Sequence, residues 1–116
     1  MKEASQYTKL LADEGIRLTS LGLDEIALSR ENAMMALDIF VEERIPVLGG
    51  DVYFLKNARV SPAYANWYTE RSAEEPVSSF AERTWVESRE YIGKFIEPPD
   101  MGALFVFVLG SAEAGG

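Results

Sequence analysis

Two periods of apolar residues run through this chain. Positions three and four apart mark three helices. Tyr7, Leu10 and Leu11 predict a short one over 5–14, with Ser5 as a cap and Gly15 as a stop. Ala33, Ala36, Leu37, Phe40 and Val41 share a face of a second, over 30–44. Ser29 fits its N-cap, and Glu31 lies near its positive end. Met35 and Ile39 fall on roughly the opposite face, which predicts either burial on two sides or a small apolar patch for a partner. Val77, Phe80, Ala81, Thr84, Ser88, Tyr91, Ile92 and Phe95 define the third helix, over 76–96, opened by Pro76 and closed before Pro98 and Pro99.

The remaining apolar runs are strand-sized. Val52 to Leu55 is β-branched and aromatic, and Lys56-Asn57 turns the chain after it. Ala58 to Val60 starts a pairing strand that Pro62 shortens or confines to an edge. Tyr64 to Tyr68 reads as a further strand or an ordered loop. Ala103 to Leu109 is apolar without alternation, the pattern of a central strand covered on both faces. Ile16 to Leu23 is irregular or a short strand, and Glu25 to Ser29 a short extended piece. The fold class that follows is α+β: one domain over 1–110, a mixed sheet of about four strands packed by two long helices, and a short N-terminal helix on the flank. Residues 111–116 are expected to form a flexible tail.

The stretch Ile45 to Leu55 organises this layout. Pro46 stops the preceding helix, and Gly49-Gly50-Asp51 follows. Adjacent glycines reach backbone angles closed to other residues, so a sharp turn or a close backbone approach is expected there; a helix-to-strand reversal would put a positive φ at Gly49 or Gly50. Asp51 suits such a turn by accepting from backbone N–H groups beyond it.

Composition narrows the chemistry. The chain of 116 residues contains no cysteine and no histidine, which removes thiolate chemistry, Ser–His catalysis and imidazole metal ligands. Phosphate-loop and dinucleotide fingerprints are absent, and Gly49-Gly50 precedes a strand where those motifs need a helix. The pairs Asp13-Glu14, Glu42-Glu43 and Glu74-Glu75 read as solvated faces. No catalytic residue, metal site or cofactor is expected. A formal charge of −8 opposes a nucleic-acid partner and favours a basic protein partner. No apolar run approaches the length of a membrane span, and no signal-like segment opens the chain, so a cytoplasmic protein without a membrane partner is expected.

Tyr64, Trp67 and Tyr68 cluster beside Asp51 and Glu70 as candidate partner-binding residues, because Tyr and Trp often anchor interfaces. Trp67 has a second reading, packed under the sheet with its N–H satisfied. A small-ligand or regulatory module with a pocket at Gly49-Gly50-Asp51 is the alternative function.

Ile26 to Ala33 leading into a helix, Pro46 to Tyr53 with its Gly-Gly-Asp, Asn66-Trp67-Tyr68, and Ser88 to Phe95 before the last apolar strand occur in an order that resembles immunity protein family 40 of bacterial polymorphic toxin systems. The resemblance spans roughly residues 20–109, and Gly49-Gly50-Asp51 with Trp67 is its most specific part. It implies a small α+β protein that binds and neutralises a cognate toxin. It assigns no toxin identity, and it does not separate toxin-contacting residues from fold-keeping ones.

Overall fold

The computed structural model describes residues 2–111. Helix α1 (Lys2–Glu14) leads to a short strand β1 (Ile16–Arg17), a single 3₁₀ turn (Thr19–Leu21) and β2 (Ile26–Ser29). Then come α2 (Arg30–Glu42), the long strands β3 (Val47–Lys56) and β4 (Arg59–Tyr68), α3 (Val77–Lys94) and β5 (Gly102–Leu109). The class is α+β, with five strands in the order β1-β2-β5-β3-β4. Every pairing is antiparallel, where a mixed sheet was expected. The reason is connectivity: β3 and β4 form a tight hairpin, and the α3 crossover returns β5 to the far side of β3. β5 is central, between β2 and β3, as its unbroken apolar run predicts. Helix α1 starts before Ser5, which therefore lies within the helix and does not cap it. The expected tail lies, from residue 112 on, outside the described residues.

Local signals explain the joints. Ser29 Oγ accepts from Asn32 N at 3.3 Å, so β2 runs into α2 with no loop between them. The reversal after α2 does not use the glycines. Arg44 takes φ 58°, Ile45 N donates to Phe40 O at 2.9 Å, and Arg44 N donates to Val41 O at 3.3 Å. This is a Schellman ending with arginine in the left-handed position. The β3–β4 hairpin turns on Asn57 and Ala58, both at positive φ (52° and 65°), the geometry of a type I′ turn.

Gly49 and Gly50 instead lie inside β3, paired to Tyr68 and Trp67. Gly49 has φ 159°, the positive value expected at this pair and one that L side chains rarely adopt, but the pair lies within the strand and no chain reversal occurs there. What requires glycine is close approach. A Cβ on Gly50 would run into the Trp67 ring and the Val106 carbonyl, and one on Gly49 into the Trp67 carbonyl.

The helices cover one face of the sheet. Ala33, Ala36, Leu37 and Phe40 of α2 and Ala81, Trp85 and Ile92 of α3 pack on Val52, Trp67, Phe105 and Phe107. Trp67 is 9% exposed, stacks on Tyr91 with centroids 4.9 Å apart, and donates from Nε1 to Ser88 Oγ at 2.9 Å. Trp85 donates to Ile45 O at 2.7 Å and ties α3 to the α2–β3 joint. Arg30, the first residue of α2, reaches the end of α3, donating to the carbonyls of Ile92 and Phe95 and pairing with Glu97 at 3.4 Å. A cation at these carbonyls satisfies groups that the helix leaves unpaired. On α2, Met35 is 50% exposed while Ile39 packs against the core, so the two do not form a shared patch.

The other face is covered by the chain between α1 and β2. Leu18 is fully buried there with Ala27, Val60, Leu104 and Val106, and Leu21 and Leu23 pack alongside. This cover is short and stops before the Gly49 end of the sheet.

Candidate functional site

The uncovered end of that second face is built by alternation. Residues directly opposite one another on neighbouring strands project from the same side. The pairs Gly49–Tyr68 and Gly49–Val108, and then Asp51–Asn66 and Asp51–Val106, place Tyr68, Asn66, Asp51 and Val108 on the face away from the helices. Trp67, one residue off, points to the helices. Glycine at 49 leaves a gap in this face between Tyr68 and Val108.

A bulge adds Tyr64. The register passes from Val52–Ala65 to Tyr53–Pro62, so Ala63 and Tyr64 are extra residues on β4. Tyr64 takes φ 57°, a rare conformation for a bulky residue, and its side chain is 91% exposed. Tyr68 is 72% exposed. Pro62 belongs to the same irregular stretch and sits on an edge strand, where a missing N–H costs least.

Two cavities meet at Asp51 and Asn66. One, of about 530 Å³, lies between Leu21, Leu23, Tyr53 and Tyr64. The other, of about 380 Å³, lies between Gly49, Tyr68 and Val108. Asp51 is the one charged residue lining either cavity among the described residues. Its carboxylate has no hydrogen bond or ion pair among those residues, so it does not play the turn-closing role expected of it. Its charge and that of Glu25 are felt at Tyr53, whose phenol is pushed above its ordinary range first by burial and then by Glu25 and Asp51. The trough is therefore apolar at its walls, aromatic at its rim and negative at its centre.

The structure brings Asp51, Tyr64 and Tyr68 together. It does not bring Glu70 to the trough, and Trp67 borders only the smaller cavity. Trp67 belongs to the core under the helices, and Glu70 lies beyond the end of β4, exposed, with its carbonyl accepting from Arg83 at 2.7 Å. Arg83 also grips Glu75 through Nε and Nη2, at 2.9 and 2.7 Å, which holds the Glu75 carboxyl down to about 2. These bonds anchor the connection after β4 onto α3.

Sequence reasoning missed Asn66 and Val108 as lining residues, and no local signal marks them. It also missed a groove of about 710 Å³ between the end of β4 and α3, where Trp67, Tyr68, Tyr91 and Phe95 meet Ile96, which is 86% exposed. Tyr68 lines both this groove and the smaller cavity of the trough. No described helix is long and apolar enough to cross a membrane.

No curated protein and no solved structure matches this chain significantly. A family model does: that of immunity protein 40, over residues 17–109, which takes in every strand but the first residue of β1, two of the three helices and all of the trough. By that match the chain belongs to the immunity protein 40 family.

Proposed function

We propose that this protein neutralises a cognate toxin by one-to-one binding that covers a working surface of the toxin, without chemistry of its own. Family membership supports the immunity role. The observation that carries the mechanism is the trough: two exposed tyrosines around a carboxylate that no described residue satisfies. Aromatic rims with a charged centre suit protein recognition, and the overall charge of −8 suits a basic partner surface. Asp51, Tyr64 and Tyr68 are the contact residues. Glu70 acts from the edge through its field, and Trp67 acts by holding Tyr68 in place from the core. The complex forms in the cytoplasm, where a toxin made by the same cells would first do harm.

Co-expression with the toxin domain encoded beside this gene tests the reading. Wild type restores growth, and the purified pair sediments as a one-to-one complex. Growth rescue without a stable complex would remove occlusion as the mechanism.

A further inference from the structure

The open edge of β4 carries information beyond the trough. Thr69 N donates to Leu48 O at 3.0 Å, one step beyond the Gly49–Tyr68 pair, so the same register extends to these two residues. In an antiparallel ladder, hydrogen-bonded pairs alternate with pairs whose backbone groups point away from each other. With Thr69–Leu48 bonded, Tyr68 and Asn66 must direct their N–H and C=O groups off the sheet. Among the described residues β4 is the last strand on that side, and Asn66 and Tyr68 are exposed, so these groups face solvent. They form a short template for another strand.

Side-chain space exists on both sides of this template. Toward the helices lies the groove of Trp67, Tyr91 and Ile96, and toward the open face lies the trough of Asp51 and Tyr64. A strand laid on an edge sends alternate side chains to opposite faces, and paired pockets of this kind select them. Resting on the immunity reading above, we infer that the partner adds an extended segment antiparallel to the Asn66–Tyr68 edge, with apolar residues entering the groove and cationic ones crossing to Asp51. Antiparallel addition continues the pattern of every pair in this sheet. The cationic choice follows from charge: Asp51, the one charged lining residue of the trough, has no partner among the described residues, whereas the groove's Glu90 pairs with Lys94 and its Glu87 with Arg83. The added strand lies two strand spacings from β3, about 10 Å. An arginine opposite Asn66 spans that distance, with Tyr64 and Tyr68 offering ring faces to its guanidinium.

A capped peptide, acetyl-Val-Arg-Val-Arg-Val-amide, probes this without the toxin. Titrated into the ¹⁵N-labelled protein, it is expected to shift the amides of residues 64–68 and 91–96 and to slow exchange at Asn66 and Tyr68. Antiparallel pairing turns the arginine backbone groups toward β4. N-methylation at the two arginines should then abolish the shifts, while N-methylation at the central valine leaves them. Asp51→Asn, which leaves the backbone untouched, should weaken the peptide about fivefold to tenfold, close to 1 kcal/mol. Binding that survives arginine methylation overturns the inference, as does a peptide that shifts nothing at the edge. A free protein that sediments as a dimer with Asn66 and Tyr68 already protected would assign the edge to a second copy and also overturn it. None of these negative results touches toxin neutralisation, which the co-expression experiment measures separately.

Discussion

The two faces of this sheet are made from the same strands and end in opposite states. On the helix side, Trp67 is held by the Tyr91 ring, by the Ser88 hydroxyl and by edge contacts from Phe105 and Phe107 at 6.3 and 6.0 Å. On the other side, Tyr68, its immediate neighbour, has most of its ring in water. The difference lies in the cover. Two helices of 13 and 18 residues span the length of the first face, whereas among the described residues the second has only the short segment around Leu18, Leu21 and Leu23. A packed face fixes the identity of every side chain that meets it. An uncovered end leaves side chains free to serve contacts with something else, and here those side chains are two tyrosines and a half-buried carboxylate with no partner among the described residues.

Substitutions on the helix side should be the costliest. Trp67→Ala empties the centre of the aromatic cluster and is expected to destabilise the fold by about 3–5 kcal/mol, read as a lower urea midpoint at unchanged slope. Gly50→Val should cost about 1–3 kcal/mol, because the new side chain overlaps the Trp67 ring and the Val106 carbonyl at once. Thermal unfolding of the two single variants and the double variant sharpens the point. If the glycine exists to admit the tryptophan, the penalties are strongly non-additive; simple addition would separate them. Ser88→Ala leaves the buried Trp67 Nε1 without its acceptor and should cost about 1–3 kcal/mol. An unchanged melting temperature would mean that water replaces the hydroxyl and that this face is less dry than its burial implies.

The same contrast explains what could be read from the sequence. Covered elements were legible because burial imposes periodicity. Ala33, Ala36, Leu37 and Phe40 mark the buried face of α2, and the run Ala103–Leu109 marks a central strand that is buried on both sides from Ala103 to Phe107. Ser29 gives away the start of α2 through the chemistry of its own hydroxyl. Gly49-Gly50 signals two things, a turn or a close approach, and the structure uses the second. The residue that decides between them is Trp67, distant in sequence and adjacent only after β3 and β4 pair. The turn itself uses Arg44, a residue with no preference for positive φ, stabilised by the Schellman bonds. β4 was seen only in pieces, because Pro62 and the bulged Tyr64 interrupt its alternation. For the site, Tyr64, Trp67 and Tyr68 read from the chain as one aromatic cluster, with the side taken by Trp67 left open. Register decides that Tyr68 faces out and Trp67 in, and register across a bulge is not written in local sequence.

On the open face, substitutions should leave the fold alone and act on binding. Tyr68→Ala removes a mostly exposed ring and is expected to change stability by no more than about 0.5 kcal/mol. Against the toxin domain it should speed dissociation about tenfold, since a desolvated aromatic anchor acts mainly after the complex has formed. Surface plasmon resonance with the purified pair reads both rates. Wild-type dissociation from a variant that melts normally would exclude Tyr68 as an anchor and return the open face to mere solvent exposure.

The smallest expected effect belongs to Glu70, and it tests whether the edge of the site works through field alone. Its carboxylate is exposed at the end of β4, outside both cavities of the trough, so it makes no packed contact to lose. Its backbone carbonyl stays bonded to Arg83 whatever the side chain. Glu70→Lys reverses one charge beside the proposed contact surface and changes the net charge from −8 to −6. Long-range attraction acts on the encounter before docking, so capture should slow about twofold to fivefold at low salt, with dissociation unchanged. At ionic strengths near 1 M, where the screening length falls to about 3 Å, wild type and variant should associate at the same rate. Tyr68→Ala supplies the contrast in the same salt series: its effect on release should persist at high salt, because ring burial carries no charge to screen. If Glu70→Lys instead accelerates release, Glu70 touches the partner directly, and the interface extends past the end of β4 toward the Arg83–Glu75 anchor.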